Sequence, residues 1–332
     1  MRHLIPKKPI LIERALADAS LIPALIARGG RYPTVQRYLK NLTEMAALSD
    51  AGRAEGGAHH DDHSPMPIAP WFRGDWAIDE PLIEGLEPIF SNAQFIAAAK
   101  EIFETELIEP FQVYLNLNTP MPRVDPGHID VPSFRGFDRR NEPVWLLVTM
   151  MKSGLFEPFY IPTVTAVAWY YEGEAGGFRY YPSGPEGDPV DLPARSNAAI
   201  VGDNDRMFHA VDRVGARGAS ILGGLSLNST IALEGDHYLV RDKDDLLARF
   251  PPSEIRASVS WKARAFRSRD EKRLFDEGRD LLTIDEVQAR FMAALKEKGI
   301  EAAPPEDLRS DQRFMRVLND AFHVAPRRRR AQ

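Results

Sequence analysis

An α+β chain with a mostly β core between helical extensions is the fold class this sequence predicts, on three observations. Apolar residues recur at helical spacing towards both ends, while short apolar or alternating runs rich in β-branched and aromatic residues fill the middle. Clusters of Gly, Pro, Asn and Asp punctuate those central runs as turns. The division expected is a helical N-terminal extension over 1–106, a β core over 107–266 and a C-terminal helical extension over 267–332, integrated as one domain.

Element by element, Leu, Ile and Ala at helical spacing over 11–28 predict a first helix, ended by Gly29-Gly30. A second is expected from Pro33 to Leu48, with the proline in its first turn. Residues 49–66, rich in Gly, Asp and His, read as an exposed loop. Their run His59-His60-Asp61-Asp62-His63 is dense in potential ligands but has no rigid element to fix a geometry. Ser91-x-x-Gln94 has the form of a capping box opening a helix that reaches about Thr105.

The β core starts at Phe111. The run to Asn118 predicts a strand whose alternate members Tyr114, Asn116 and Asn118 share one polar face. Ala166 to Tyr171 predicts another strand, Glu172 to Gly177 a turn, and Phe178 to Tyr181 a strand that stops at Pro182. Ala198 to Val201, a polar turn from Gly202 to Arg206 and a strand carrying His209 follow. Strand character continues to Ile231 and returns in Ser258 to Phe266, where Val259, Trp261, Ala263 and Ala265 alternate with polar residues. Thr283-x-x-Glu286 opens a long helix ending near Gly299, and another helix is expected over Asp307 to Phe322.

Composition narrows the chemistry. With 332 residues, 44% hydrophobic and 27% charged, the chain has the make-up of an ordinary globular protein that can bury a full core. A net charge of -6 gives no general affinity for polyanions, so a nucleic-acid partner is not expected; the tail Arg327 to Arg330 reads as a solvated end. No cysteine is present, which removes disulfides, zinc-thiolate sites, iron–sulfur clusters and thiol nucleophiles. Any metal site must use His, Asp and Glu. With no sustained apolar segment at the N-terminus and no apolar run long enough to span a bilayer, a cytoplasmic protein with no membrane partner is expected.

His128-Ile129-Asp130, with His209 far downstream, is the most informative motif. Alternate residues of a strand point to one face, so His128 and Asp130 can grip one ion from one edge, with His209 as third ligand. Two imidazoles and a carboxylate on one octahedral face are the ligand set of a non-heme iron(II) facial triad, which leaves open positions for a cosubstrate and dioxygen.

The order of parts resembles the iron(II)- and 2-oxoglutarate-dependent oxygenases: a His-x-Asp strand end, a strand leading to the Gly176-Gly177 turn, a strand after Pro193, then His209 followed by a valine and an arginine. The resemblance covers roughly 110–225. It implies a double-stranded β-helix, or cupin-like jelly roll, binding Fe(II), 2-oxoglutarate and dioxygen at His128, Asp130 and His209. It further implies an arginine for the far carboxylate of 2-oxoglutarate. Arg217 matches that position best, although it follows His209 more closely than the family arginine usually does, and Arg213 is the competitor because it shares a strand face with His209. Tyr114, Asn116 and Asn118 are candidates for further cosubstrate contacts. Arg135 and Arg139, just beyond the metal motif, are candidates for an anionic group of the substrate, and Trp169 for its apolar part.

The reaction implied is hydroxylation of an unactivated C–H bond of a small molecule, with release of succinate and CO2. Two alternatives stand beside it: a zinc or two-metal hydrolase built from His128, Asp130, Asp203, Asp205 and His209, and a jelly-roll binding protein without turnover.

Overall fold

The computed structural model describes residues 2–38, 68–123 and 127–326. The His59 to His63 run, most of the helix expected after Pro33 and the tail Arg327 to Arg330 lie outside the described residues. The first strands are β1 Ile10–Ile12, β2 Arg31–Pro33, β3 Trp71–Ile78, β4 Glu80–Pro81, β5 Ile108–Asn118, β6 Ser133–Phe134, β7 Tyr160–Ile161 and β8 Thr163–Tyr170. They are followed by β9 Phe178–Tyr180, β10 Val190–Leu192, β11 Ala198–Gly202, β12 His209–Val211, β13 Ser229–Glu234, β14 His237–Asp242, β15 Asp245–Phe250 and β16 Arg256–Ala265.

A seven-stranded sheet has the order β1-β11-β8-β16-β5-β3-β4, and a three-stranded sheet the order β10-β9-β12. Strands β15-β14-β13-β2 form a separate four-stranded sheet, and β6 pairs with β7. The long central strand β16 is antiparallel to both neighbours, with Trp261 opposite Val113 of β5 and Ala166 of β8.

Alternation along these strands separates two faces. Ala257, Val259, Trp261 and Ala263 of β16 join Val113, Leu115 and Leu117 of β5 in one apolar cluster with Phe95, Ala99 and Ile102 of the helix Ala93–Phe103. Arg256, Ser258, Ser260 and Lys262 point the other way, beside Gln112, Asn116, Asn118 and Thr165, and all are buried. Towards the β8 and β11 end that same face becomes apolar, where Val167, Trp169 and Ile200 pack with Phe178, Tyr180 and Met207. A buried polar row is costly unless its groups meet partners.

Helices differ from the sequence reading in instructive ways. The helix expected over 11–28 begins only at Leu21 and runs to Gly29. Ile10-Leu11-Ile12 instead adds β1 to the sheet edge, with Leu11 opposite Ile200, because edge pairing overrides a weak helical period. With β3 and β4 also in the large sheet, residues 1–106 are not purely helical. Pro33 ends the short strand β2 rather than opening a helix. Asn92, not Ser91, caps the helix at Ala93, its side chain accepting from the N–H groups of Gln94 and Phe95. The capping box at Thr283 and Glu286 is present and opens Ile284–Glu297, while Asp311 caps Gln312–Ala321. Helix Val144–Ser153 escapes a periodicity search because residues 145–152 are all buried, leaving no polar face.

Asn197 ties the N-terminal segment to this sheet. Its side chain accepts from Leu16 N–H at 2.9 Å and donates to Leu16 C=O at 2.9 Å, and its φ of 62° lies in the left-handed region. Asn197→Ala is expected to lower unfolding free energy by about 1–3 kcal/mol, from two lost hydrogen bonds and backbone strain. Asn197→Gly should recover only the strain component in denaturant unfolding. Equal stability of wild type and Asn197→Ala would show that the clasp contributes nothing.

Candidate metal centre

Gly127, at a φ of 136° that strongly favours glycine, delivers the chain to His128. His128 N–H donates to His209 C=O at 2.9 Å and His209 N–H donates back to His128 C=O at 2.8 Å. They form the hydrogen-bonded pair of an antiparallel bridge, which directs both imidazoles to one face with ring centroids 4.5 Å apart. Two residues on, Asp130 N–H donates to Asn204 C=O at 2.9 Å and continues the edge. The ligand atoms of His128, Asp130 and His209 lie within 4.8 Å of one another, close enough to share one ion.

The donor set fits a divalent metal in detail. His209 Nδ1 sits 2.8 Å from Met207 C=O, which places the proton on Nδ1 and leaves the Nε2 lone pair for a ligand bond. Phe178 stacks on that imidazole at 5.2 Å. Asp130 Oδ2 accepts from Lys262 Nζ at 2.8 Å and Thr165 Oγ1 at 3.1 Å, while Oδ1 lies 3.6 Å from His209 Nε2. One carboxylate oxygen is thus anchored and the other presented. Burial works to raise the Asp130 carboxyl, but Lys262, His209 and His128 together hold it well below the usual carboxylate range.

Lys262 has a second buried neighbour, Asp205, at 3.6 Å. Burial drives Lys262 down, yet Asp130 and Asp205 more than compensate and keep it above the ordinary lysine range. Asp205, whose Oδ2 accepts from Tyr160 OH at 3.2 Å, is pushed up to about 7 by burial, against the pull of Lys262. Asp203 is pushed up to about 6 by burial, with Arg206 opposing. Among the described residues His128, Asp130 and His209 are the one converging group of three or more metal-ligating side chains. Asp203 and Asp205 stand outside it, so the five-residue two-metal arrangement is not formed.

A second buried cation, Arg256, stands on the same face of β16 as Lys262, at the start of the strand. Its Nε donates to Gly176 C=O at 2.6 Å, and its Nη1 to Ser258 Oγ at 3.1 Å and Asn118 Oδ1 at 3.3 Å. Gly176 permits this approach, because a Cβ there would stand 2.7 Å from the Tyr171 ring and 3.2 Å from Arg256 Cδ. No carboxylate lies within 4.0 Å of the guanidinium among the described residues, and Nη2 is buried with no hydrogen-bond partner. Burial without an anion pulls Arg256 down to about 10. Asn118 Nδ2, opposite Arg256 on β5, and Trp169 Nε1, opposite Ser258 on β8, are buried donors equally without partners.

Arg217 and Arg213 stand elsewhere. The turn expected at Gly215 and Gly218 is there, with φ of 83° and 85°, but Arg217 sits exposed on it. Arg213 donates to Glu174 at 2.6 Å and to Gly215 C=O, committed to a surface pair. Neither guanidinium faces a dry pocket, which corrects the expectation that one of them anchors a carboxylate beside the metal. Asn116 lies on the inner face and accepts from Trp71 Nε1 at 3.0 Å, with the Trp71 ring against His128.

Tyr114 lies farther along, under the Arg73 guanidinium at 3.4 Å. Both line a cavity of about 340 Å³ that also reaches Asp130, Lys262, Arg135 and Arg139. Arg135 turns its guanidinium to Asp280 and to Pro158 C=O, whereas Arg139 reaches Asp75 Oδ1 at 3.5 Å.

Residues absent from the sequence reading are Arg256, Ser258, Lys262, Thr165 and Arg73. The signal for three of them is the polar half of the alternation in β16. Reading that strand from Ser258 rather than Arg256 left the arginine outside it.

No protein-family model matches the chain, and no curated protein sequence matches it either. Solved structures of 2-oxoglutarate- and iron-dependent oxygenases are matched. A Pseudomonas putida prolyl-4-hydroxylase is 13% identical, over 78% of this chain and 94% of that one, at a TM-score of 0.34. The non-heme α-ketoglutarate-dependent carbocyclase SnoK of nogalamycin biosynthesis is 11% identical, over 79% and 81%, at 0.39. HygX of Streptomyces hygroscopicus, solved with nickel, 2-oxoglutarate and hygromycin B, is 10% identical, over 78% and 83%, at 0.32.

Calorimetric titration with Ni(II) is expected to show His128→Ala, Asp130→Ala and His209→Ala each weakening metal binding by at least about 10–100-fold, the loss seen even for groups behind the ligands. Near-wild-type affinity in any of the three removes that residue from the centre. A pH experiment addresses Asp205. In the folded protein it keeps its proton up to about pH 7, whereas an unfolded Asp ionises near pH ~3.9. The folded state therefore holds the extra proton between these values, and stability falls as pH rises through that window, by at most about 1.4 kcal/mol per pH unit. Asp205→Asn should flatten that slope in denaturant unfolding; superimposable stability–pH curves would refute the assignment.

Proposed function

We propose that this protein is an iron(II)- and 2-oxoglutarate-dependent oxygenase that hydroxylates an unactivated C–H bond of a small molecule. The observation that carries this reading is the buried Arg256, a cation without an anion, on the same inner face as the triad His128, Asp130 and His209. A binding protein has no evident use for unmet donors beside a metal-competent set, and a dicarboxylate cosubstrate would meet both.

The sheet orders support a jelly-roll reading. Strands β11-β8-β16-β5 form the larger sheet, and β10-β9-β12, extended by the His128 bridge, form the smaller. Four antiparallel strands facing four, with the metal at the edge of the smaller sheet, is the double-stranded β-helix arrangement.

When bound, iron(II) with dioxygen supplies oxidative decarboxylation of 2-oxoglutarate to succinate and CO2, with the second oxygen atom going into the substrate C–H bond. This chain's residues perform the rest. His128, Asp130 Oδ1 and His209 Nε2 hold the ion; Lys262 and Thr165 fix the Asp130 carboxylate so that one oxygen is offered. Arg256, Asn118 and Ser258 take the far carboxylate of the cosubstrate, and Trp169 and Phe178 close the apolar wall that keeps water from it.

Arg256→Ala is expected to weaken 2-oxoglutarate binding by roughly 2–5 kcal/mol, the range for truncating one partner of a buried charged pair. Metal affinity should change little. Arg213→Ala and Arg217→Ala, on surface side chains, should bind 2-oxoglutarate like the wild type. The readout is the visible charge-transfer band formed by iron(II) and 2-oxoglutarate without oxygen, together with succinate formed in air. No band and no succinate in the wild type would sink the oxygenase reading.

A further inference from the structure

The cavity of about 340 Å³ that opens on Asp130 and Lys262 lies on the polar face at the end away from Arg256. Its volume suits a small molecule. Six cationic side chains line it against three carboxylates. Most of these are matched elsewhere: Arg264 pairs with Asp79 at 3.0 Å and Glu109 at 3.1 Å, and Arg140 with Asp138 at 2.6 Å.

Arg73 is the exception. Its side chain is 14% exposed, and both Nε and Nη2 are buried without a hydrogen-bond partner. The carboxylate nearest to it, Asp75 Oδ1, stands 3.6 Å from Nη2, beyond hydrogen-bond range. That oxygen is also approached by Arg139 at 3.5 Å and already accepts from Gln112 Nε2 at 3.1 Å. One carboxylate thus serves two guanidiniums and an amide. Nε and Nη2 share one edge of the guanidinium, the fork that takes two oxygens of a carboxylate or phosphate side-on. The Tyr114 ring beneath holds the plane in place. Apolar walls from Val131, Phe134, Ile161 and Phe275 complete the chamber.

We infer that the primary substrate is a small organic anion whose carboxylate or phosphate seats on the Nε–Nη2 edge of Arg73, with Arg139 alongside. This rests on the oxygenase reading, because the same chamber reaches Asp130 and so sets a substrate held there beside the metal. Arg139 keeps the role expected of it, and Arg73 takes the place expected of Arg135.

The test titrates the full-length protein with benzoate, phenyl phosphate and neutral benzamide by calorimetry, once loaded with Ni(II) and saturating 2-oxoglutarate and once metal-free. At least one anion should bind in both states, with benzamide weaker by about tenfold or more, and Arg73→Gln should weaken that anion by about tenfold or more, the scale of one charge-assisted pair. The affinity for 2-oxoglutarate should stay within about twofold on that scale. Arg73→Lys, with charge but no fork, should fall between. The better anion of the two assigns carboxylate or phosphate. Equal binding of benzamide, no binding of either anion, or loss of 2-oxoglutarate rather than anion affinity in Arg73→Gln overturns the inference; Arg139→Gln decides if Arg73→Gln fails to fold. The metal-free arm separates the two readings, since anion selectivity there with no 2-oxoglutarate binding would condemn the oxygenase and spare the anion site.

Discussion

His128 and His209 exchange backbone hydrogen bonds at 2.9 and 2.8 Å, and the metal centre depends on that exchange. The two residues are distant in sequence, and this pairing is what brings their backbones side by side. The bridge fixes both Cα–Cβ vectors on one face, and the bond from Asp130 N–H to Asn204 C=O carries the same edge two residues farther. Three ligands are then set by backbone pairing, with rotamers left for the Met207 carbonyl, Lys262 and Thr165 to fix. A site held this way is rigid because its support is the sheet, not a loop.

Opposite that edge stands the polar face of β16, which carries two buried cations treated differently. Lys262 is neutralised by Asp130 at 2.8 Å, with Asp205 at 3.6 Å, so its burial is offset within the protein. Arg256 has only neutral acceptors, from Gly176, Ser258 and Asn118. An ion left unpaired in a low-dielectric interior costs several kcal/mol, which a fold has little reason to retain unless an anion arrives to offset it. The uneven treatment of two cations on one strand separates a structural ion pair from a ligand site.

The convergence of His128, Asp130 and His209 is legible in sequence because its information is local: His128 and Asp130 are two apart, and the turn from Gly202 to Arg206 announces the strand that brings His209. The strands β5, β8, β9, β11 and most of β16 are legible for the same reason, through alternation bounded by turn residues. The buried Arg256 is not. Between β12 and β16 the chain builds β13, β14 and β15, which join β2 in a separate sheet, so counting residues onward from His209 stops at the exposed turn of Arg217. Arg73 is hidden in a different way, since β3 joins β5 from a region that reads as helical.

Along one polar face these groups fall into two clusters. Arg256, Ser258, Asn118 and Trp169 surround one end, and Arg73 and Arg139 line the other. Between them Lys262 grips Asp130, one of the three candidate ligands. The cavity beside Arg73 reaches Asp130, whereas the Trp71 ring stands 6.4 Å from the His128 imidazole and donates to Asn116 on β5. Under the proposed readings, two anions at opposite ends of the row would be kept apart by their own repulsion as well as by the Lys262–Asp130 pair. Such separation would suit the proposed oxygenase, in which cosubstrate and substrate must not exchange places.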